Sequence, residues 1–340
     1  MITSWNSWSN TKLEDAIECM YRLFLIYADH VPRTMTVPLA AGLYVHAGCK
    51  KFNDPEEKRP HFASAHSYAN RRVGTWKRFV AKDKIYGKQN ITESFDGEIW
   101  AISESVIRPC SEHFYDLFIG RERPVDLERR FRFTIGDFAL GGSFDVIDAP
   151  LGFMDYKTGK QEPQDAELKA DLQFTIYSAA LPLLLAHDRK LQSQFHLSEG
   201  ERKTLKDNPL DLIEAVKGEY VHLRSGKIFE TRRTRYDVIE LLNTIESVAA
   251  RAEQGDFAHS RGYRCVHCYV RERCDQDRER GRILTRVDLE KITDAYVLFP
   301  SRRELKVYTD IPRNIRVLED HRFGKHQKQT GDYPLFKDIA

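Results

Sequence analysis

GGSFDVID (residues 141–148) and FMDYKTG (residues 153–159) are two short strand-like runs, separated by four residues that include Pro150. Asp155 and Lys157 are two positions apart, so on a strand their side chains point to the same face. A proline between two runs of alternating polarity is typical of a tight turn. The sequence therefore predicts a β-hairpin that presents an acid and a lysine together.

The position of the turn also predicts which residues face each other. If the hairpin folds about Pro150, residue 146 lies opposite residue 154, and Asp145 lies opposite Asp155 with their Cβ atoms about 4.5–5.5 Å apart. Two carboxylates at this distance repel each other unless a cation neutralises them. Magnesium or manganese suits carboxylate oxygens and polarises a phosphodiester, while a nearby lysine stabilises the charge that develops. The pattern fits phosphodiester hydrolysis, although a solvated edge hairpin with surface charges is the alternative.

The hairpin is followed by a third motif, QFTIY at residues 173–177, on a helix predicted for residues 165–186. Gln173 and Tyr177 are four residues apart and share a helical face. Together, the three stretches resemble the motifs of RecB-type nucleases in the PD-(D/E)XK superfamily. The resemblance implies an α/β fold with a PD-(D/E)XK restriction-endonuclease-like core, in which helices flank a mixed central sheet. The catalytic residues that it implies are Asp145, Asp155, Lys157, Gln173 and Tyr177.

A further element lies upstream, on a helix predicted from Pro38 to about Phe52. Gly42 and His46 in GLYVH (residues 42–46) resemble the Gly-x-x-x-His element of the same nucleases. The resemblance implies that His46 binds Mg²⁺ or Mn²⁺ together with Asp145 and Asp155. A lone helical histidine without this context is more often structural or exposed.

Four of the six cysteines form a second pattern. Cys265, Cys268 and Cys274 are closely spaced, and such thiols in a reducing compartment usually bind a metal. Cys19, on a helix predicted for residues 11–27, is the natural fourth ligand. The arrangement resembles the iron–sulfur subfamily of RecB-like nucleases, which includes the CRISPR-associated nuclease and the C-terminal nuclease domain of AddB-type proteins. It implies a structural [4Fe–4S] cluster, although four thiolates also bind tetrahedral Zn²⁺.

The resemblance also suggests how the chain is divided. We expect one nuclease domain over residues 1–285. Its iron–sulfur lobe joins segments 1–30 and 235–285 from the two ends of the domain, and its catalytic core spans residues 36–234. Residues 286–340 are an extension of unknown role.

Composition neither demands nor excludes a nucleic acid partner, because 53 basic and 51 acidic residues leave a net charge of +2. Any basic surface must be local. Residues 58–88 carry nine Lys or Arg and one acid, with Phe62, Tyr68, Trp76, Phe79 and Tyr86 between them. This pattern is typical of single-stranded nucleic acid binding, and equally of an amphipathic helix that buries its aromatic residues. We predict a helix over residues 61–86, bent near Gly74.

The free-standing relatives implied by the resemblance are mainly exonucleases. We therefore expect a DNA exonuclease that favours single strands or DNA ends, in repair, recombination, phage DNA processing or CRISPR adaptation, where protein partners are possible. The alternative is a non-catalytic DNA-binding or scaffold subunit of a larger complex. The sequence shows neither a signal peptide nor an apolar run of about 18 residues, which predicts a cytoplasmic protein without a membrane span.

Overall fold

The computed structural model describes residues 5–32, 37–81, 101–260, 262, 265–266, 268–280 and 306–318. The end of the predicted helix 61–86 and most of the predicted extension, residues 286–340, lie outside these ranges. Within them, no helix combines the length and the apolar character that crossing a membrane requires.

The described helices and strands follow one another in blocks along the chain and form a mixed α/β structure. The helices are α1 (Asn10–Glu18), α2 (Met20–Tyr27), α3 (Val37–Asn53), α4 (Ala65–Ala81), α5 (Arg108–Phe118), α6 (Asp165–Ala170), α7 (Leu172–His187), α8 (Arg189–Ser193), α9 (Glu199–Asp207), α10 (Arg235–Glu253) and α11 (Arg271–Glu279). The strands are β1 (Ser7–Trp8), β2 (Asp126–Ile135), β3 (Phe138–Asp148), β4 (Gly152–Lys157), β5 (Lys217–His222), β6 (Lys227–Thr231) and β7 (Ile315–Val317).

The chain forms two compact units. The larger unit consists of Thr36–Phe131, Ser143–Thr234 and Val317–Ala340, and the smaller unit of Met1–Met35, Arg132–Gly142 and Arg235–Arg316. Strands β2 and β3 each contribute residues to both units.

The described strands belong to a seven-stranded mixed sheet. In the larger unit their order is β6-β5-β4-β3-β2, with β4 parallel to β5 and antiparallel to β3. In the smaller unit β1 pairs in parallel with β3 at Ala139 and Leu140, and β7 neighbours β2. The predicted mixed sheet flanked by helices is confirmed.

Strand β4 lies between two layers of helices in the larger unit. On one face, the ring centroid of Phe153 is 5.3 Å from that of Phe174 in α7. On the other face, Tyr156 meets Phe114 of α5 edge-on at 5.7 Å. Because alternate side chains of a strand point to opposite faces, the acid and the lysine of β4 lie on the α7 face. Helix α7 itself is buried from Phe174 to Leu185, which fixes it against the sheet.

Two helices predicted as continuous are broken. Residue Cys19, with φ −163° and ψ 109°, separates α1 from α2. Asp171, with φ −67° and ψ 114°, separates α6 from α7. The predictions of single helices over 11–27 and 165–186 were therefore wrong. The apolar spacing of Leu13, Ile17, Met20 and Phe24 runs through the break at Cys19, whereas Asp171 is a residue type that favours the start of a helix.

Helix α4 is continuous through Gly74, so the sequence's prediction of a helix broken or bent there fails as a break. Cys274 lies within helix α11.

Candidate functional site

The β3–β4 hairpin has the predicted register. Val146 pairs with Met154, and the flanking pairs continue towards the turn in the same alignment. The regular pairing ends at Val146 and Met154, so the predicted pair of Asp145 and Asp155 is not part of the ladder. The backbone N–H of Tyr156 donates a hydrogen bond to Oδ2 of Asp145 at 2.9 Å, which orients that carboxylate.

Four predicted site residues form one hydrogen-bonded network. Lys157 Nζ lies 2.6 Å from Oδ2 of Asp155 and donates to Oε1 of Gln173 at 2.8 Å. Nε2 of Gln173 donates to Oδ1 of Asp155 at 2.7 Å and to the hydroxyl of Tyr177 at 2.9 Å. The Tyr177 hydroxyl in turn donates to the backbone carbonyl of Ser143. Helix α7 thus holds the acid and the lysine of β4 in fixed orientations.

The Tyr177 ring anchors this network on the sheet. Its centroid lies 4.7 Å from that of Phe144 and 5.5 Å from that of Phe131. Aromatic pairs at such distances pack favourably, and Tyr177 is only 6% exposed. The hydroxyl therefore has little freedom to leave Gln173.

Helix α3 brings His46 to the other carboxylate. Nδ1 of His46 is 3.3 Å from Oδ2 of Asp145. One turn earlier, Gly42 lies so close to the end of β4 that a Cβ atom there would be 3.1 Å from Oγ1 of Thr158. A residue without a side chain at position 42 lets the helix approach the strand, which gives the spacing between Gly42 and His46 a physical meaning.

The charges of these residues depend on one another. Burial raises the pKa of Asp155 to about 6, although Lys157 opposes the rise. Burial alone would lower the pKa of His46, but the Asp145 carboxylate outweighs it and raises this pKa to about 9. The His46 imidazole holds the pKa of Asp145 below its usual value, and the Asp155 carboxylate holds that of Lys157 above it, each against the effect of burial. Titratable groups whose pKa values are shifted by burial and by specific partners are typical of functional sites.

The two carboxylates have the chemistry to hold a divalent cation. Asp155 is 2% exposed, and its Oδ2 atom accepts no hydrogen bond of suitable geometry despite the nearby ammonium group. Asp145 is 17% exposed and lies in the adjacent strand. Among the described residues, no three His, Cys, Asp or Glu side chains are gathered closely enough to bind an ion. Instead, Asp145 pairs with His46, and Asp155 pairs with Lys157. A cation that binds both carboxylates would therefore replace His46 and Lys157 as their partner.

Glu128 belongs to the surroundings of this site, although it lies in none of the motifs. It adopts a left-handed backbone conformation, with φ 51°, which non-glycine residues rarely do. Burial and the Asp145 carboxylate raise its pKa, while Lys50 and His46 oppose the rise. Its position on the polar face of β2 is a signal from which the sequence could have identified it.

The basic segment is an amphipathic helix in its described part. Tyr68 is 6% and Trp76 0% exposed, so neither can stack on a base. Arg72 lies over the ring of Tyr44 at 4.1 Å and donates to its backbone carbonyl. The side chains of Arg71, Lys77 and Arg78 are exposed, although Arg71 lies over the ring of Phe62 at 5.8 Å and Arg78 donates to Oγ1 of Thr75 at 3.3 Å. The predicted stacking role is therefore wrong for Tyr68 and Trp76. Phe62 is partly buried. Tyr86 lies outside the described residues, and the side chain of Phe79 is not described.

The smaller unit contains a cavity of about 400 Å³ that is lined by all four motif cysteines, which are Cys19, Cys265, Cys268 and Cys274. Arg22 and Arg271 line the same cavity. Burial raises the pKa of the Cys274 thiol to about 12, and the other three thiols add to the rise. The sulfurs are therefore near enough to interact. They do not form a ligand group within the described residues, which is weak evidence against a bound cluster.

Cys49 and Cys110 lie elsewhere, buried in the larger unit at 2% and 0% exposure. They have the environment of small apolar residues.

Comparison with known families agrees with this geometry. The chain matches the PD-(D/E)XK nuclease superfamily over residues 7–275, and it belongs to that superfamily. This family membership implies a metal-dependent nuclease, and its members typically use Mg²⁺ or Mn²⁺. No curated protein matches the chain.

Replacement of Tyr177 by phenylalanine tests the network. The variant loses an acceptor for Gln173 and a donor for the Ser143 carbonyl. We expect cleavage to slow about 10-fold, as for the loss of other groups that orient a metal site. The free energy of unfolding should fall by about 0.5–1.5 kcal/mol, the value of one hydrogen bond. Single-turnover kinetics and urea unfolding measure the two effects.

The matched control is Tyr236→Phe, which removes the same atom from a side chain that is 78% exposed. It should behave as the wild type. Equal cleavage rates for Tyr177→Phe and the wild type would show that the hydroxyl does not support the site.

Proposed function

We propose that this chain is a divalent-metal-dependent DNA exonuclease of the RecB type. The observation that carries the proposal is the convergence of the motif side chains: Lys157 and Gln173 hold Asp155, while His46 meets Asp145 across the hairpin. These residues come from a helix, a hairpin and a second helix. Their convergence at one point supports the role that the family motif assigns to each of them.

Asp145, Asp155 and His46 are the residues that would hold the cation. When bound, Mg²⁺ or Mn²⁺ would polarise the phosphodiester and lower the pKa of a water molecule. The Asp155 carboxylate is held by Gln173 from one side and by Lys157 from the other. Such support orients a ligand before the cation arrives.

Lys157 acts on the phosphodiester itself. Its side chain is 31% exposed, and its raised pKa keeps the ammonium group charged at neutral pH. A fixed positive charge beside the scissile phosphate stabilises the negative charge that develops on the phosphate oxygens in the transition state. The hydrogen bond to Gln173 holds the ammonium group in a fixed orientation, so that this group needs little reorientation during the reaction.

The choice of exonuclease, and the preference for single strands or ends, are supported by the resemblance to free-standing RecB-type enzymes. DNA is therefore the partner that we propose. The exposed cations of α4 are candidates for its phosphates, because arginine and lysine contacts to phosphate supply most sequence-independent affinity.

The exonuclease assignment predicts that cleavage needs a DNA end. With Mg²⁺ or Mn²⁺, a linear single strand should be degraded to short products, while a covalently closed circle of the same sequence stays intact. Gel analysis of both substrates, labelled internally, measures this. A circle that is opened as fast as the linear strand is degraded would contradict exonuclease action and leave an endonuclease.

We further propose that the four motif cysteines hold a [4Fe–4S] cluster. One observation supports it: all four thiols line one cavity. One of these four cysteines, Cys19, lies where the helical conformation is interrupted between α1 and α2. Zn²⁺ is the alternative occupant. Either would cross-link the N-terminal segment to residues 265–274.

A further inference from the structure

The junction between α6 and α7 lies two residues before Gln173. Asp171 ends α6 and begins α7, and its carboxylate accepts a hydrogen bond from the N–H of Phe174 at 3.1 Å. An aspartate at this capping position itself favours the start of a helix here. Contacts from another part of the chain also bond the junction.

Arg233, in the segment after β6, supplies these contacts. It is 1% exposed. Its Nη2 atom donates to the backbone carbonyls of Leu168 at 2.6 Å and Asp171 at 3.1 Å. Its Nε atom donates to Oγ1 of Thr175 at 2.9 Å. The Leu168 carbonyl also accepts from the N–H of Asp171, and the Asp171 carbonyl from the N–H of Thr175, so Arg233 adds to the bonds that link the end of α6 to the start of α7.

The guanidinium group is itself fixed. Nη1 donates to Oγ1 of Thr231 at 2.5 Å and to the carbonyl of Arg232 at 3.2 Å. Its central carbon lies 5.9 Å from the ring centroid of Phe174, the residue after Gln173. A planar group with five N–H donors can make all these bonds at once, which the single ammonium group of lysine cannot.

We propose that Arg233 is a positioning residue for Lys157 and Asp155, acting through Gln173. By holding the junction broken, it sets where α7 begins and therefore where the Gln173 amide lies. That amide bonds both Lys157 and Asp155. The inference rests on the proposed nuclease function and adds a residue that lies outside the motifs.

A double-mutant cycle tests this inference. Arg233→Met and Gln173→Ala are compared singly and together, with Mg²⁺-dependent single-turnover cleavage as the readout. Arg233→Met should lower the rate constant about 10- to 100-fold, as outer partners of metal ligands do. In the Gln173→Ala background it should change the rate by less than about twofold, because independent effects would instead multiply.

Arg232→Met is the matched control. Arg232 also donates to two backbone carbonyls, those of Glu214 and Ala215, but it is exposed. The Arg232→Met variant should cleave DNA like the wild type.

If Arg233→Met fails to fold, Thr175→Val removes one of the bonds to Arg233 with little change of side-chain shape. The Thr175→Val variant should show a smaller loss of cleavage rate than Arg233→Met, and this loss should also disappear in the Gln173→Ala background.

Amide hydrogen exchange of the metal-free protein gives a readout independent of activity. Exchange at residues 171–177 should accelerate in Arg233→Met and not in Arg232→Met, while β5 stays protected. Unchanged exchange, or multiplicative losses in the cycle, would overturn the role of Arg233 and leave the nuclease function intact. A wild type that cleaves no DNA would overturn the proposed function itself.

Discussion

Replacement of Lys157 by alanine is expected to lower the rate constant of DNA cleavage by about 100- to 1,000-fold, the usual loss when one preorganised charge-stabilising group is removed. The Lys157 side chain carries a positive charge and is 31% exposed, so it can reach a phosphate. Without it, Asp155 also loses its closest cation, and the pKa of that carboxylate should rise further. Single-turnover cleavage of labelled DNA measures the loss.

DNA binding by Lys157→Ala should survive, because most affinity for DNA comes from many phosphate contacts. Fluorescence anisotropy in the presence of Ca²⁺, which replaces Mg²⁺ without supporting rapid hydrolysis in the assay, measures the affinity. Lys169→Ala is the matched control, since it removes the same charge from an exposed position on α6. Equal cleavage by Lys157→Ala and the wild type would contradict the assignment of this site.

Replacement of Cys19 by alanine should cause the largest loss of stability. If the four cysteines bind a structural metal centre, binding is coupled to folding, and the loss of one ligand should cost about 3 kcal/mol or more. Anaerobically purified wild type should be brown, with broad visible absorption and iron and sulfide in equal amounts. Cys19→Ala should lose the colour and melt at a lower temperature.

The control is Cys110→Ala, which removes a thiol from the core of the larger unit. It should keep the full metal content. A colourless wild type with one zinc per chain would refute the iron–sulfur cluster and keep the four-cysteine site. Equal metal content in Cys19→Ala and the wild type would refute Cys19 as a ligand.

The hairpin could be predicted from the sequence because its determinants are local. Pro150 marks the turn, and the alternation of side chains then decides which residues face each other. The register that pairs Val146 with Met154 follows from these two facts. The shared face of Gln173 and Tyr177 follows equally from helical spacing.

The break at Asp171 has a local signal, because aspartate favours the position before a helix and its carboxylate accepts from the N–H of Phe174. The bond from Arg233 to the Asp171 carbonyl could not be predicted, because Arg233 lies far along the chain. The break at Cys19 could not be predicted either, since the apolar spacing of α1 and α2 runs through it.

The contact between His46 and Asp145 could be predicted only in part. The resemblance named both residues, but the reason that α3 reaches the hairpin is the close approach of Gly42 to Thr158. That packing is tertiary. A motif can name the residues of a site, whereas the distances between them depend on how the elements pack.

The most direct test of the central claim is cleavage of labelled single-stranded DNA by the wild-type chain, with Mg²⁺ or Mn²⁺ and with EDTA. The site of Asp145, Asp155 and Lys157 predicts hydrolysis with either cation and none with EDTA, restored when the cation is returned in excess. Intact DNA under all conditions, from folded protein that binds it, would contradict the claim that this chain is a metal-dependent nuclease.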